Sequence, residues 1–506
     1  MDRSELSLAI IAEMETVVRA ALERAVPALL EGDLASMEQQ AQEVGRIILG
    51  RLIEAAVARR ERAQPRPERC PQCGERLGQR ARARHLQGVV GDYRLERTYY
   101  WCGACGHSAV PLDAELGLGP GVLSPGLARV VARAAIEAPF AQAVDTVHEA
   151  LGVAVDVEVA RRTTEGLGAV AEAQVQAAIA RAQQGREVWA PPERAVAEET
   201  ATLAVGVDGV RVQHSADWHE MKVLTVAPLG PDLHADPQSG RTHLAWGTAS
   251  YGAGTEGAEE FWWRVHVEAV RRGLGTEAVR TVVVLGDGAE WIWQRAHAFL
   301  GAPGTDLVEI VDIYHAYGYL WGVGNAVFGA GSAAASAWVE PLKDRLYTHG
   351  PAPILAALAA LSPLPAEAAE AHHDAVSYFT TNAARMDYPR FVARQLPIGS
   401  GAVESTCKCL VEARAKQAGM RWSGVGVQCI ASLRAVQRSG RWATFWQGQP
   451  QRQRAALAPR PRPVAPAPAA PLPPPALTLP ARPAPGAAPR PKPTARQRPL
   501  LLPRSA

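Results

Sequence analysis

The stretches 203-LAVGVDGVRV-212 and 281-TVVVLGDGAEW-291 decide the fold. Each is a run of apolar, largely β-branched residues that reaches an aspartate followed by glycine. Such runs read as buried strands, and VVVLGD has the unbroken apolar character of a central strand in an α/β sheet. Ligands in open α/β sheets collect at the carboxyl ends of the strands, so Asp208 and Asp287 are expected at strand ends, facing a cleft. Asp-Gly is also ordinary turn chemistry, and one such pair alone says little. Around these runs the pattern is strand, strand, strand, helix, strand, helix, strand, helix, with 221-MKVLTVAPL-229, 261-FWWRVHVEAVRRG-273, 291-WIWQRAHAFL-300 and 307-LVEIVDI-313 as the other recognisable pieces. The residues from about 321 to 394 are helical in character and Ala-rich, and 388-YPRFVARQLPIGSG-401 leads back to a third acid.

That acid is Glu404, in a glycine-rich loop that opens a helical stretch, 398-IGSGAVESTCKCLVEARAKQAGMRWS-423. Carboxylates brought from distant segments to one point are what two hard cations about 4 Å apart require when they bind the attacking and leaving oxygens of a phosphoryl transfer. The segment around Glu404 resembles the C-terminal signature of bacterial insertion-sequence DDE transposases of the ISKra type, relatives of the Mutator-like transposases. Asp312 and His315 in 311-VDIYHAYGYLW-321 resemble the D-x-x-H motif that those enzymes carry between the second Asp and the Glu. The resemblance spans most of residues 60 to 445.

The resemblance implies an RNase H-like catalytic core over about 200–445, with a helical insertion over 321–394. It implies Asp208, Asp287 and Glu404 as the triad that binds Mg²⁺ or Mn²⁺, cutting transposon ends and joining the 3′-OH to target DNA. His315 is then expected to position the scissile phosphate or flanking DNA, with a packed aromatic neighbour as the plainer alternative. Asp312 is a metal ligand or the partner that orients His315. Beyond Glu404, Lys408, Arg414, Lys416 and Arg421 are expected to face phosphates, and Trp422 to stack on an unpaired base or to pack inside.

Seven cysteines provide a second signal. Cys70-Pro-Gln-Cys73 and Cys102-Gly-Ala-Cys105, each followed by Gly, have the spacing of two knuckles that close four thiolates around a tetrahedral zinc ion. The intervening 85-HLQGVVGDYRLERTYYWC-102 alternates like a hairpin, so a zinc ribbon over about 63–115 is expected. Disulfides are the competing account in an oxidising compartment. Eleven arginines against five acids between Arg59 and Cys105 make this region locally basic, in keeping with DNA contact or with a solvated face. Cys407, Cys409 and Cys429 are expected to be buried thiols without chemistry.

The remaining segments are helical or irregular. Leu8, Ile11, Val18, Leu22 and Leu29 recur at helical spacing within an N-terminal region of amphipathic helices, residues 1–62, suited to packing or dimerisation. Ser124-Pro125 reads as an N-cap and first helical residue opening a helical region over 120–190. Within it 140-FAQAVDTVHEALGVAVDVEVARRTTEG-166 reads as helix, turn at Gly152, helix. A helix-turn-helix would set Arg161 and Arg162 against DNA, though many helical hairpins share this pattern. A linker, 188-VWAPPERAVAEET-200, precedes the core, and a Pro-rich basic tail over 449–506 is expected to be disordered.

The formal net charge of +2 hides an asymmetry: no Asp or Glu follows Glu412, while 16 Lys and Arg do. A basic arm of this kind suits salt-sensitive nucleic-acid binding, or stays a solvated tail. At 506 residues and 47% hydrophobic content the chain suits about three domains with real cores. It has no apolar run of membrane-spanning length, and acids interrupt 1-MDRSELSLAIIAEMETVV-18, so a cytoplasmic, nucleoid-associated protein that acts on DNA as a homodimer, without membrane contact, is the expectation. The alternatives are an RNase H-like nuclease that cuts without joining, and a domesticated DNA-binding protein.

Overall fold

The computed structural model describes residues 3–186, 202–215, 217–235, 242–361 and 364–452. The linker at 188–200 and all but the first few residues of the expected tail lie outside these residues. Two 29-residue helices, α1 (Arg3–Glu31) and α2 (Leu34–Arg62), form an N-terminal hairpin. Asp33 starts the second by accepting a hydrogen bond from the Ser36 amide at 2.8 Å. A three-stranded antiparallel ribbon follows: β1 (Gly78–Gly88), β2 (Gly91–Trp101) and the short β3 (Ser108–Ala109). The hairpin expected from the alternation thus exists, and it begins at Gly78, earlier than the alternation itself. One end of the ribbon is anchored where Leu86, Tyr93 and Leu95 pack against Val57 of α2 and against Leu112 of α3 (Pro111–Leu116).

Four helices run along the middle of the chain in the expected order: α3, then α4 (Pro125–Ala135), α5 (Phe140–Leu151) and α6 (Val157–Gln183). Ser124 caps α4 by accepting from the Leu127 amide at 3.2 Å, and Pro125 stands at the first turn. Gly152 ends α5 at a φ of 64°, so the helix-turn-helix outline is present. The second helix is 27 residues long, however, and its length is used to join this region to the sheet. Its Glu172 accepts from Arg264 of the core and from Ser432 near the C-terminus of the described chain.

The central sheet is mixed. It comprises β4 (Thr202–Gln213), β5 (Trp218–Ala235), β6 (Thr242–Trp246), β7 (Ser250–Gly254), β8 (Thr281–Gly286) and β9 (Asp306–Val311). The strand order is β6-β5-β4-β8-β9, with β7 also paired to β5; β4 and β5 form an antiparallel hairpin, while β4, β8 and β9 are parallel. The parallel connections carry α7 (Ala258–Arg271) and α8 (Glu290–Leu300).

After β9 come α9 (Ile313–Phe328), α10 (Ala333–His349), α11 (Ala352–Ala359), α12 (Ala369–Thr381) and α13 (Tyr388–Ala393). The helical block starts at Ile313, eight residues before the expected boundary, because the Asp312 side chain accepts from the Tyr314 amide and starts α9 directly at the end of β9. It does not form a separate body. One hydrophobic core runs from Leu203, Val283 and Ile310 of the sheet through Phe261, Trp262 and Ile292 into Leu320, Val339, Ile354 and Phe379. Each such fully buried side chain contributes about 1.5–3 kcal/mol.

The chain then returns over β4 and β7 as α14 (Gly401–Thr406), a π-helical turn at Cys407–Glu412, α15 (Ala413–Ala415), α16 (Gly424–Arg438) and α17 (Trp442–Gln447). A second core, with Val210, Val212, Met221 and Val223 against Leu410, Val411, Trp422 and Ile430, holds this return in place. No helix among the described residues is long and apolar enough to cross a membrane.

Candidate active site

The site is organised where the three parallel strands end. Pairing between β4 and β8 stops at Gly206–Leu285, yet β4 itself continues to Gln213 in its hairpin with β5. Asp208 therefore lies inside a strand and not at its end, as the sequence suggested; it sits just past the point where β8 leaves. Asp287 is the first residue after β8, and the parallel register carried forward by two residues sets it opposite Asp208. Asp312 holds the matching place after β9.

These three acids have different surroundings. Burial pushes the Asp208 carboxyl above the usual range, and the neighbouring Asp287 adds to the shift. The Gly209 amide donates to its Oδ1 at 2.7 Å, and the Cys407 thiol lies 3.5 Å from Oδ2. Burial together with Asp208 pushes the Cys407 thiol well up, so it stays protonated and acts as a donor. Asp287 accepts from the Ala289 amide through Oδ1 at 2.9 Å, and the Tyr378 hydroxyl donates to its carbonyl at 2.8 Å.

Asp312 is only 8% exposed, and both of its oxygens are engaged by the chain: Oδ1 by the Tyr314 amide at 2.9 Å, Oδ2 by the Ser400 hydroxyl. Burial raises its carboxyl as well. With the Ile313 amide donating to the Ile398 carbonyl at 3.0 Å, Asp312 fastens the glycine-rich loop ahead of Glu404 to the end of β9. His315, one turn into α9, is exposed, and its charge acts on both Asp208 and Asp312. Its ring lies 5.7 Å from Tyr319 and 5.9 Å from Tyr378, and these two tyrosines stack at 3.9 Å to make an aromatic wall beside Asp287.

Glu404 comes from above. A side-chain carbon on Gly206 would meet Val403 at 2.9 Å, so α14 rests on β4 two residues before Asp208. The Glu404 carboxylate is exposed and paired with Lys408 at 2.8 Å. Beside it, Glu404 and Asp312 line a cavity of about 580 Å³ with Trp246, Tyr314 and Tyr347. The three acids are not closed around one point: among the described residues, only the four cysteines hold three or more ligand atoms within 4.8 Å of one another.

The cysteine cluster is complete. Cys70 and Cys105 Sγ are 3.6 Å apart, and Cys73 and Cys102 Sγ are 3.5 Å apart. Gly74 and Gly106, at φ 78° and 73°, turn the two knuckles toward each other, as their places after each Cys pair predicted. Four cysteines in this geometry can hold a metal ion such as zinc.

Several basic residues expected at a DNA surface are already committed. Arg161 is tied to Glu158 and Glu165, Arg162 to Glu158, and Lys416 to Glu412. Arg414 is 1% exposed, clamped between the rings of Phe140 and Trp422 at 4.9 and 4.8 Å and donating to the Ala135 carbonyl. Its burial and the nearby Arg434 lower its pKa to about 10. Arg414 and Trp422 thus belong to the interior, not to a DNA-facing surface; the packed alternative for the tryptophan is the one realised. Arg421 is exposed.

Cys407, expected as a buried thiol without chemistry, is buried but touches Asp208, while Cys409 is only partly buried; Ser400, Tyr319 and Tyr378 were not singled out from the sequence. Ser400 lies in the quoted glycine loop, and that was its only signal. Arg434, also 1% exposed, donates to the carbonyls of Cys409 and Leu410, which belong to the π-helical turn. A family model described as an uncharacterised protein family, UPF0236, matches residues 29–302, more than half of the 506 residues. The match includes the ribbon, Asp208 and Asp287 and stops before Asp312 and Glu404. No curated protein matches the chain.

Proposed function

The chain belongs to this uncharacterised family, UPF0236, and from that premise together with its carboxylates we propose that it is a DDE transposase with an RNase H-like core. The observation that carries the reading is the placement of Asp208 and Asp287 on neighbouring parallel strands, with Glu404 delivered over β4 by a separate helix. The strand order, an antiparallel meander followed by two parallel strands on its β4 side, supports the RNase H-like part of the proposal. The association of this family with transposase-like proteins supports the rest.

The donor set suits hard cations. Asp208 and Asp287 offer carboxylate oxygens at adjacent register positions, and a divalent cation would stabilise the Asp208 charge that burial and the nearby Asp287 disfavour. Mg²⁺ or Mn²⁺ bound there would polarise the phosphodiester and make a water or 3′-hydroxyl a better nucleophile at neutral pH. Asp208 and Asp287 would provide the fixed ligands, the first held in orientation by the Gly209 amide and the Cys407 thiol. Glu404 would complete the set by leaving Lys408, and the loop fastened by Asp312 and Ser400 sets the approach of its helix. His315 is placed to hold a phosphate or flanking DNA at the mouth.

Hydrolysis at the element's end would break one P–O bond and release a 3′-OH. That hydroxyl would then attack a target phosphodiester and free a target 3′-OH, so one ester replaces another without an external energy source. The test incubates purified protein with labelled DNA carrying the ends that flank its gene, with Mg²⁺ or Mn²⁺. Metal-dependent cleavage at the ends with strand joining is expected. Cutting without joining would identify a nuclease, specific binding without cutting a domesticated protein, and no end-specific binding would remove the reading.

A further inference from the structure

On the ribbon, side chains at even positions of β1 and odd positions of β2 share one face, as the pairs Arg80–Tyr99, Arg82–Arg97, Arg84–Leu95 and Leu86–Tyr93 show. The face changes character along its length. Leu86, Tyr93 and Leu95 are buried against α2 and α3, and next to them Arg84 and Arg97 both reach Asp113, at 2.9 and 3.1 Å. Farther out, toward the cysteine knuckles, the face emerges into solvent, with Glu61 of α2 held at Thr98 as its neighbouring acid. There the Arg80 guanidinium lies 5.5 Å over the Tyr99 ring and 5.9 Å over Trp101, and Arg82 lies 5.8 Å over Tyr99. Tyr99 and Trp101 stack on each other at 6.0 Å.

Arg80 and Arg82 are exposed, and among the described residues neither forms an ion pair with a carboxylate. In this they differ from Arg161, Arg162, Lys408 and Lys416, which are all paired. A guanidinium stacked on an aromatic ring keeps its N–H groups in the ring-parallel plane and pointing outward, where they fit phosphate oxygens in bidentate fashion. Two residues apart on one strand, their Cα atoms stand about 6.7 Å apart along it, and both guanidiniums reach over Tyr99, where they can meet phosphates of one DNA strand. The ring faces are used to hold the guanidiniums, which leaves little room for an inserted base.

We infer that Arg80 and Arg82, held by Tyr99 and Trp101, form a binding site for the sugar–phosphate backbone of duplex DNA. The inference rests on the DNA-acting reading, but it concerns sequence-independent attachment and not the cutting chemistry. It predicts contact to phosphates alone, with no base preference.

The test measures binding of full-length, zinc-replete protein to a fluorescent duplex without terminal repeats, in the absence of divalent metal and over a range of KCl. For Arg80→Ala/Arg82→Ala, the slope of log affinity against log salt is expected to become shallower by about 1.8, two phosphates' worth, with affinity falling about tenfold or more at low salt. Arg80→Lys/Arg82→Lys should keep the slope but lose part of the affinity, because the charge remains while the planar fork is lost. Unchanged zinc content and melting temperature show that the variants fold. A wild-type slope and affinity in the folded alanine variant overturns the inference and leaves the transposase reading standing. Tighter binding to single strands that Trp101→Ala abolishes also overturns it, in favour of base stacking. If the wild-type protein binds no such duplex at all, the inference falls, and the cleavage assay at the element's ends decides the transposase reading separately.

Discussion

The cysteine cluster and the carboxylate site differ in how finished they are. The four thiols converge within 4.8 Å, whereas Asp208, Asp287 and Glu404 stay open, with Glu404 turned to Lys408. The difference follows from how each set is carried. Two tight turns at the ends of one hairpin hold the thiols. The carboxylates come from two strands and a separate helix, and the Asp208 carboxyl is raised by burial and, to a lesser degree, by the nearby Asp287. The thiols are gathered by one short segment of chain, whereas the acids depend on three segments far apart in sequence.

The widest way to break this comparison is to remove metal from the closed site. Zinc-site peptides draw on the order of 10 kcal/mol of folding free energy from the ion. Cys73→Ser is therefore expected to reduce bound zinc from one per chain to none, with loss of amide protection along Gly78–Trp101 and little change in the central sheet. Metal analysis with hydrogen exchange checks both; a ribbon that stays protected without zinc would mean that the hairpin needs no ion. At the open site, Asp287→Ala should lower metal-dependent end cleavage by about 10³-fold or more, a loss of roughly 4 kcal/mol in transition-state stabilisation, while the fold persists. Retention of cleavage would show that the acid pair is not the metal site.

The frame that holds both regions offers a sharper test. Arg264 is 3% exposed and tied to Glu172 at 2.7 Å and Glu256 at 2.7 Å, and Glu172 also accepts from Gln428 and Ser432. Glu172 is partly buried, which raises its carboxyl, but Arg264 and its other hydrogen-bond partners hold it down at about 2. The stability it contributes is thus complete above its unfolded pKa and is lost as pH falls toward 2. Glu172→Ala leaves a buried guanidinium short of a partner and should cost about 3 kcal/mol in denaturant unfolding at pH 7. The smallest effect runs the other way. Because the Asp208 carboxyl is raised in the fold, its charge costs stability as pH rises through that pKa. Asp208→Asn should therefore stabilise the metal-free protein by about 1 kcal/mol at pH 7 and have no such benefit near pH 3. Added Mg²⁺ should reverse the ranking of wild type and variant in thermal melts.

The parts legible in the sequence were those that local physics specifies. Apolar runs gave the strands, Ser124-Pro125 gave the start of α4, and the spacing and glycines of the two cysteine pairs gave the knuckles. Asp208 and Asp287 were found because a charged residue closing an apolar run is conspicuous. That Asp208 sits inside a strand could not be read, since it depends on β4 continuing to pair with β5 after β8 has left it. Arg414 misled because charge in a sequence suggests exposure. Its place is decided by the Ala135 carbonyl, 279 residues away, and by two rings that close over it. Asp312 was left between metal ligand and positioning residue, and only the hydroxyl of Ser400 in the structure occupies its second oxygen.

The π-helical turn at Cys407–Glu412 has one more consequence. It is a helix with a residue to spare, its loosened carbonyls held by Arg434. Each residue advances an α-helix by about 100°, so this single surplus residue fixes the azimuth of Glu404 relative to everything that follows it. Deleting one residue from the turn would restore regular winding and swing the acid about a quarter of the way round its helix, with composition and core nearly untouched. The aim of Glu404 is in this sense counted out in residues, and a one-codon deletion there would mis-set it more thoroughly than many substitutions.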